Sequence, residues 1–251
     1  MTSDVRFHCE TDAAVATVRF DHAPTRNALD RETRARLVEV LEELDEDPGI
    51  RAIVITGTDP SFTSGVDAKQ LLGDPHYAPL PVDPATRLRE LATPTIAAVN
   101  GSCVSGGLEI ALACSMIVAS DRARFADTHV ALGLTPGWGL SSELPAAIGV
   151  WRARQMSLTA LPIDAATAYE WGLVNEVVEH ERLPPRAREL ASAIGRIDAD
   201  SAANSVRLYA KRQHALLAEA RQIERATLEE WTVDRSAAGD SFAQRVSPPS
   251  T

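Results

Sequence analysis

The stretch that most restricts the fold is Asn100-Gly-Ser-Cys-Val-Ser-Gly-Gly-Leu-Glu109, set between an apolar run at residues 94–99 and the alanine-rich Ile-Ala-Leu-Ala-Cys-Ser that follows. The apolar run reads as a buried strand and the segment after the glycines as a helix. Gly106 and Gly107 therefore stand at a strand-to-helix turn. The first N–H groups of a helix lack an intrahelical acceptor and lie at the positive end of its dipole, so they can hold an anionic or carbonyl oxygen. Glycine lets such an oxygen approach the backbone, although close packing is the other common use of a glycine pair. Glu109 falls in the first turn, where a carboxylate can serve as general acid or base beside a polarised carbonyl.

The flanking sequence supplies the rest of an α/β chain. Residues 5–8 and 14–20 read as two strands joined by the polar Glu10-Thr-Asp turn. Asp30 is placed to cap a helix with Leu37, Val38, Leu41 and Leu44 on its buried face and Pro48-Gly49 as its stop. Its acidic end, Glu42-Glu43-Leu-Asp-Glu-Asp47, opposes the helix dipole. Residues 52–56 suit an interior strand. Alternation of strand, loop and helix implies parallel pairing, with ligands gathered at loops after the carboxyl ends of strands. Two such loops are residues 59–69 and the Gly106-Gly107 turn.

Between those loops, Pro75, Pro79, Pro81 and Pro84 exclude a regular element through residues 73–84, which fits a flap over a ligand or a plain surface loop. Residues 116–120 read as a strand and 125–129 as an extended segment that would place Asp127 and His129 on one face. Helical patterns follow at residues 141–148, 152–158, 165–171, 183–194 and 198 to about 231. In the last of these, Ala220, Ile223, Thr227 and Trp231 form a stripe suited to core or subunit contact.

Composition narrows the function. The chain has 251 residues with 45% hydrophobic content, enough for a substantial core, and a formal net charge of -10 that argues against a nucleic-acid partner. No secretory start and no bilayer-length apolar run is present, so no membrane partner is expected and cytoplasm is the expected location. Cys9, Cys103 and Cys114 lack metal-ligand spacing and read as reduced thiols, Cys103 as a small buried residue, and no metal is expected. Neither Ser64 nor Ser105 lies in Gly-x-Ser-x-Gly, and there is no phosphate loop or dinucleotide fingerprint.

Five ordered motifs are more specific. They are Asn27-Ala-Leu, Phe62-Thr-Ser-Gly-Val-Asp67 with Lys69, Asn100-Gly followed by Gly106-Gly-Leu-Glu109, Pro136-Gly-Trp-Gly139, and Ala168-Tyr-Glu-Trp-Gly-Leu-Val-Asn-Glu-Val-Val178. In this order the chain resembles the crotonase (enoyl-CoA hydratase/isomerase) superfamily over residues 5–178. The resemblance implies an α/β fold, a crotonase-like ββα spiral over residues 1–195 with a C-terminal helical trimerisation region over residues 196–251, assembled as a homotrimer or a dimer of trimers. It implies an acyl-CoA thioester substrate, with no cofactor beyond the coenzyme A that belongs to that substrate, and a setting in fatty acid metabolism.

The same resemblance implies an oxyanion hole from the N–H groups of Val66 and Gly106, and puts Glu109 on the family's first glutamate. Where the family has Pro-Glu for the second, this chain has Thr128-His129, so His129 becomes the proton partner. Ser64, Asp67, Lys69, Gly107 and Trp138 are expected along the substrate, Lys69 at the CoA phosphates and Trp138 narrowing the acyl pocket. Glu143 stands where arginine is common. The implied reaction is addition of water to a 2-enoyl-CoA, a hydro-lyase activity. Double-bond isomerisation by Glu109 alone, or acyl-CoA binding without turnover, are the alternatives.

Overall fold

A computed structural model describes residues 6–73 and 79–230. In chain order its elements are β1 (Phe7–Asp12), β2 (Val15–Phe20), α1 (Arg31–Glu46), β3 (Ala52–Gly57), β4 (Ser61–Thr63), α2 (Ala68–Gly73), α3 (Pro84–Glu90), β5 (Thr95–Val99), β6 (Ser102–Val104) and α4 (Gly106–Ala113). There follow β7 (Met116–Ser120), β8 (Arg124–Ala126), α5 (Leu140–Ile148), α6 (Val150–Thr159), β9 (Ile163–Asp164), α7 (Ala165–Trp171), β10 (Glu176–Val178), α8 (Leu183–Gly195) and α9 (Ala199–Glu230).

The strands form a larger sheet ordered β1-β2-β3-β5-β7-β10 and a smaller one ordered β4-β6-β8-β9. Each of β3, β5 and β7 runs parallel to its neighbour and hands the chain to a short strand of the second sheet, so the repeating unit is a long strand, a short strand and a connection. Such parallel strands must be covered on both faces, and they are. Ile53, Ile55, Ala97 and Val99 face the main core, while Val54, Ile96, Ala98 and Val118 pack under Leu183, Ala187 and Ala191 of α8.

The sequence missed the short strands because three residues carry no readable period. Gly106 is therefore not joined directly to the β5 strand: β6 intervenes and carries the chain into the second sheet before α4 begins. The polar Glu10-Thr-Asp segment lies inside β1, and the hairpin turns instead on Ala13, at φ 52. Cross-strand pairing from Phe7↔Phe20 to Asp12↔Val15 holds those polar residues in register on an exposed edge.

Helix α1 starts where its cap places it, with the Thr33 N–H donating to Asp30 Oδ1 at 2.8 Å. Val40 joins Leu37, Leu41 and Leu44 in the core, and Val38 is only half-buried. The acidic end of α1 has a structural use. Asp45 accepts the N–H groups of Ala92 at 3.0 Å and Thr93 at 2.7 Å, and Glu42 pairs with Arg87 at 2.6 Å, so the carboxylates fasten the end of α3.

Pro84 opens α3 at a position where its missing N–H is not needed, so the proline stretch ends at a helix start. Pro75, like Val5, Trp231 and the C-terminal end of the chain, lies outside the described residues. In α9 the expected stripe is not core: Ile223 and Thr227 are exposed, as are Leu208, Tyr209, Leu216 and Leu228.

Candidate active site

Two backbone segments meet at the start of α4. After β4, the Thr63 hydroxyl donates to Asn27 O at 2.7 Å and accepts the Gly65 N–H at 3.0 Å. The Asn27 side chain, buried at φ 58, donates to Thr58 O and Ser61 O at 2.8 and 2.7 Å. Asn100 does the same from the other side, accepting Gly57 N–H at 3.1 Å and donating to Asp59 Oδ1 at 2.8 Å. The loop thus fixed pairs with Leu29 through Leu29 N to Gly65 O (2.8 Å) and Asp67 N to Leu29 O (3.0 Å). In a parallel bridge of that kind the amide of Val66 itself points to the opposite side.

On that opposite side lies Gly106, the first residue of α4, whose N–H has no intrahelical acceptor. A Cβ on Gly106 would fall 3.3 Å from Val66 N, and one on Gly65, at φ 82, only 2.8 Å from Gly106 N. The amides of residues 66 and 106 are therefore close neighbours, and glycine is what keeps side chains out of the space beside them. Ser105, at φ 48 and ψ -111, makes the turn that delivers Gly106.

Glu109 projects from the first turn of α4 and is 3% exposed. Its Oε1 accepts the N–H groups of Trp138 at 2.8 Å and Leu140 at 3.3 Å. Its Oε2 faces His129 Nε2 at 3.9 Å. Burial, reinforced by the charge of Glu224 and only partly offset by His129 and the two N–H groups, lifts the Glu109 carboxyl from 4.5 to about 7. Burial works to lower His129, but the Asp127 hydrogen bond and the charges of Glu109 and Asp127 outweigh it and hold the imidazole above its ordinary value.

Sequence comparison matches residues 10–248 of the chain to the family described as Enoyl-CoA hydratase/isomerase. The chain belongs to this family. It is 37% identical to a probable peroxisomal enoyl-CoA hydratase of Arabidopsis thaliana over 72% of this chain and 69% of that one. It is 36% identical to a short-chain-enoyl-CoA hydratase of Clostridium acetobutylicum, over 74% of this chain and 73% of that one. The crystal structure of an enoyl-CoA hydratase from Mycobacterium tuberculosis H37Rv superposes with a TM-score of 0.84 at 36% identity, covering 90% of this chain and 98% of that one.

Within this hydratase/isomerase fold, Val66, Gly106, Glu109, His129 and Trp138 come together, Trp138 Cζ3 lying 3.1 Å from a Cβ on Gly106. The other expected substrate residues are differently engaged. Asp67 pairs with Arg6 at 3.0 Å and accepts the Lys69 N–H at 3.1 Å, Ser64 Oγ donates to Thr25 O at 3.2 Å, and Lys69 is exposed. Gly107 serves close packing, since a Cβ there would lie 2.4 Å from Thr63 O. Cys103 is buried in the core, which pushes its thiol well above the ordinary value, as expected for a residue without a chemical role.

Asp127 and His129 do meet, but not as neighbours on a strand. β8 ends at Ala126, and His129 adopts helical dihedrals (φ -55, ψ -51), so a turn brings its ring back onto the carboxylate. Glu143 is buried against Arg221 and Gln213 of α9. Glu224, also on α9, accepts Gly139 N–H at 2.7 Å and Ser141 N–H at 2.8 Å and so holds the loop that holds Glu109. No local pattern marked Glu224, because its partners are remote in sequence and its neighbours on α9 are exposed.

Proposed function

We propose that the protein adds water across the double bond of a 2-enoyl-CoA thioester. The observation that carries this reading is the 3.9 Å gap between Glu109 Oε2 and His129 Nε2, beside the paired amides of residues 66 and 106. Polar atoms at that separation can both contact one water at hydrogen-bond distance. In this reading the thioester oxygen takes the Val66 and Gly106 N–H groups. Ionised Glu109 removes a proton from water as its oxygen bonds to the β-carbon, and the two amides stabilise the resulting enolate. The protonated imidazole of His129 then gives its Nε2 proton to the α-carbon, completing addition of one water.

The carboxyl at about 7 suits a base working near neutrality, and the raised imidazole suits the acid. Because Oε1 is occupied by two N–H groups, Oε2 is the oxygen left to act. Lys69, exposed on α2, is suited to the CoA phosphates, and Trp138 to one wall of the acyl pocket; Ser64, Asp67 and Gly107 shape the loops around the thioester. The reaction needs no cofactor beyond the CoA of the substrate, so chelator treatment should leave turnover unchanged.

Assembly as a homotrimer, or two trimers paired, is supported by the exposed Leu208, Tyr209, Leu216 and Ile223 on α9 and Trp151, Leu158 and Leu161 around α6. Light scattering would give the mass. Among the described residues no helix is long and apolar enough to cross a membrane. Work on fatty acyl thioesters in the cytoplasm is part of the same proposal, and cell fractionation would test it. The activity test is loss of enoyl-thioester absorbance with crotonyl-CoA and longer 2-enoyl-CoAs. No turnover at any chain length defeats hydration; double-bond migration in deuterated water without an added hydroxyl assigns an isomerase; and binding untouched by Glu109→Gln and His129→Ala, with no turnover in any assay, assigns a non-catalytic binder.

A further inference from the structure

Behind the His129 ring stand groups that the proton transfer itself does not use. His129 Nδ1 lies 2.7 Å from Asp127 Oδ1, and the same oxygen accepts the His129 backbone N–H at 3.1 Å. Asp127 is 2% exposed, and the Ser157 hydroxyl of α6 is among the groups that hold its carboxyl below the ordinary value. A carboxylate on Nδ1 keeps that nitrogen protonated in both charge states of the ring, so Nε2 is the atom that gains and loses the proton. Nε2 is also the nitrogen facing Glu109.

Thr128, between the two, is fastened as well. Its N–H donates to Ser105 Oγ at 3.0 Å and its hydroxyl lies 2.8 Å from the same atom. Ser105 immediately precedes Gly106, so the loop carrying the imidazole is latched to the turn that presents the amide.

We propose that Asp127 is a positioning residue for the reaction: it fixes His129 as the Nδ1–H tautomer, favours its cationic form and aims Nε2 across the site. This rests on the acid role assigned to His129 above. The competing possibility is that Asp127 only shapes the turn, through its bond to the His129 backbone N–H.

Asp127→Asn separates the two, because an amide oxygen can still accept that N–H while the charge is gone. The charged groups acting on the ring are Asp127, Glu109 and Glu224, and only the first is altered. The His129 ring resonance, assigned by its loss in His129→Gln, is titrated by NMR in the wild type and in Asp127→Asn, and kcat and KM are measured on crotonyl-CoA.

The expected result is a fall in the His129 pKa of about one unit or more. The kcat should drop roughly 10- to 100-fold with KM nearly unchanged, and Asp127→Asn should cost nothing further in a His129→Gln background. Ser157→Ala should move both readouts the same way by less, and serves if the Asp127 variant does not fold. An unchanged His129 titration overturns the proposal, as does an equal loss of kcat in the His129→Gln background. If His129→Gln alone keeps full kcat, the acid role is what fails, and the titration still decides whether Asp127 governs the ring.

Discussion

The two sides of the site are made of different material. On one side, the amides of Val66 and Gly106 are backbone, held by Asn27, Thr63 and Asn100 and kept open by Gly65 and Gly106. Nothing there titrates. On the other side, Glu109, Asp127 and His129 are buried ionisable groups, fastened by a loop from β8, a loop before α5 and Glu224 from α9. The first side is in place whenever the chain is folded. The second carries charge in an apolar place: the fold favours the ionised Asp127 and the cationic His129, and only the Glu109 carboxylate costs stability in the form in which it reacts. Binding and chemistry are thus separable by mutation: damage to the first is steric, and damage to the second is electrostatic.

The sharpest test of that separation is Glu109→Gln. It retains an oxygen for the Trp138 and Leu140 N–H groups but no base, so hydratase kcat should fall about 10²- to 10⁴-fold. Stability should move the opposite way. A carboxyl raised from 4.5 to about 7 binds its proton more tightly when folded, so its ionisation opposes folding increasingly as pH rises through that window. At pH 8 the glutamine variant should be more stable by up to about 3 kcal/mol, since each pKa unit is worth about 1.4 kcal/mol. Equal or lower stability in urea unfolding at pH 8 would break the contrast.

Gly65→Ala attacks the other side. Its Cβ would lie 2.8 Å from Gly106 N in a backbone at φ 82, so the added methyl crowds one amide. A loss of about 10²- to 10³-fold in kcat is expected, as for deletion of one oxyanion donor. The pH dependence of the remaining activity should keep the wild-type shape. A shifted profile would mean that the two sides are coupled after all.

How far each side could be read from the sequence follows the same division. Gly106-Gly107 and Glu109 announce themselves because a strand, a turn and a helix start are local patterns, and Val66 followed once the family motifs were aligned. The expectation of one face for Asp127 and His129 reached the right pair by the wrong route, because two-residue alternation holds in a strand and this segment turns. The uses of Glu224 and of the acidic end of α1 were not readable. Each depends on partners that only tertiary folding supplies, Gly139 and Ser141 for one, Ala92 and Thr93 for the other. Ser64 and Asp67 mark the converse case, where a motif position near the site is spent on fixing its own loop.

A milder probe is the pH profile of the wild type. In the proposed mechanism hydration needs Glu109 ionised and His129 protonated, so kcat/KM should fall on the acid side with a midpoint near the Glu109 value of about 7. On the alkaline side it should fall as the raised imidazole loses its proton. The unfolding free energy should decline over the same range. His129, raised in the fold, contributes stability that is complete below its unfolded value of 6.5 and is lost as pH rises through the folded one, and Glu109 acts in the same direction. The Glu109→Gln variant should flatten that decline.

The smallest expected effect reaches the charged side from furthest away. Glu224 touches no reacting group, yet its charge is one of the causes that raise Glu109, and its oxygens hold Gly139 and Ser141 at the start of α5. Glu224→Gln removes the charge and keeps one acceptor. The acid limb of the kcat/KM profile should therefore shift to lower pH by a fraction of a unit. Loss of one charged acceptor at a helix start should cost on the order of 1 kcal/mol. A limb that stays put while stability falls would confine Glu224 to capping α5. A limb that moves with stability intact would make α9 a part of the proton chemistry, reaching it through the field at Glu109 rather than through any contact with the substrate.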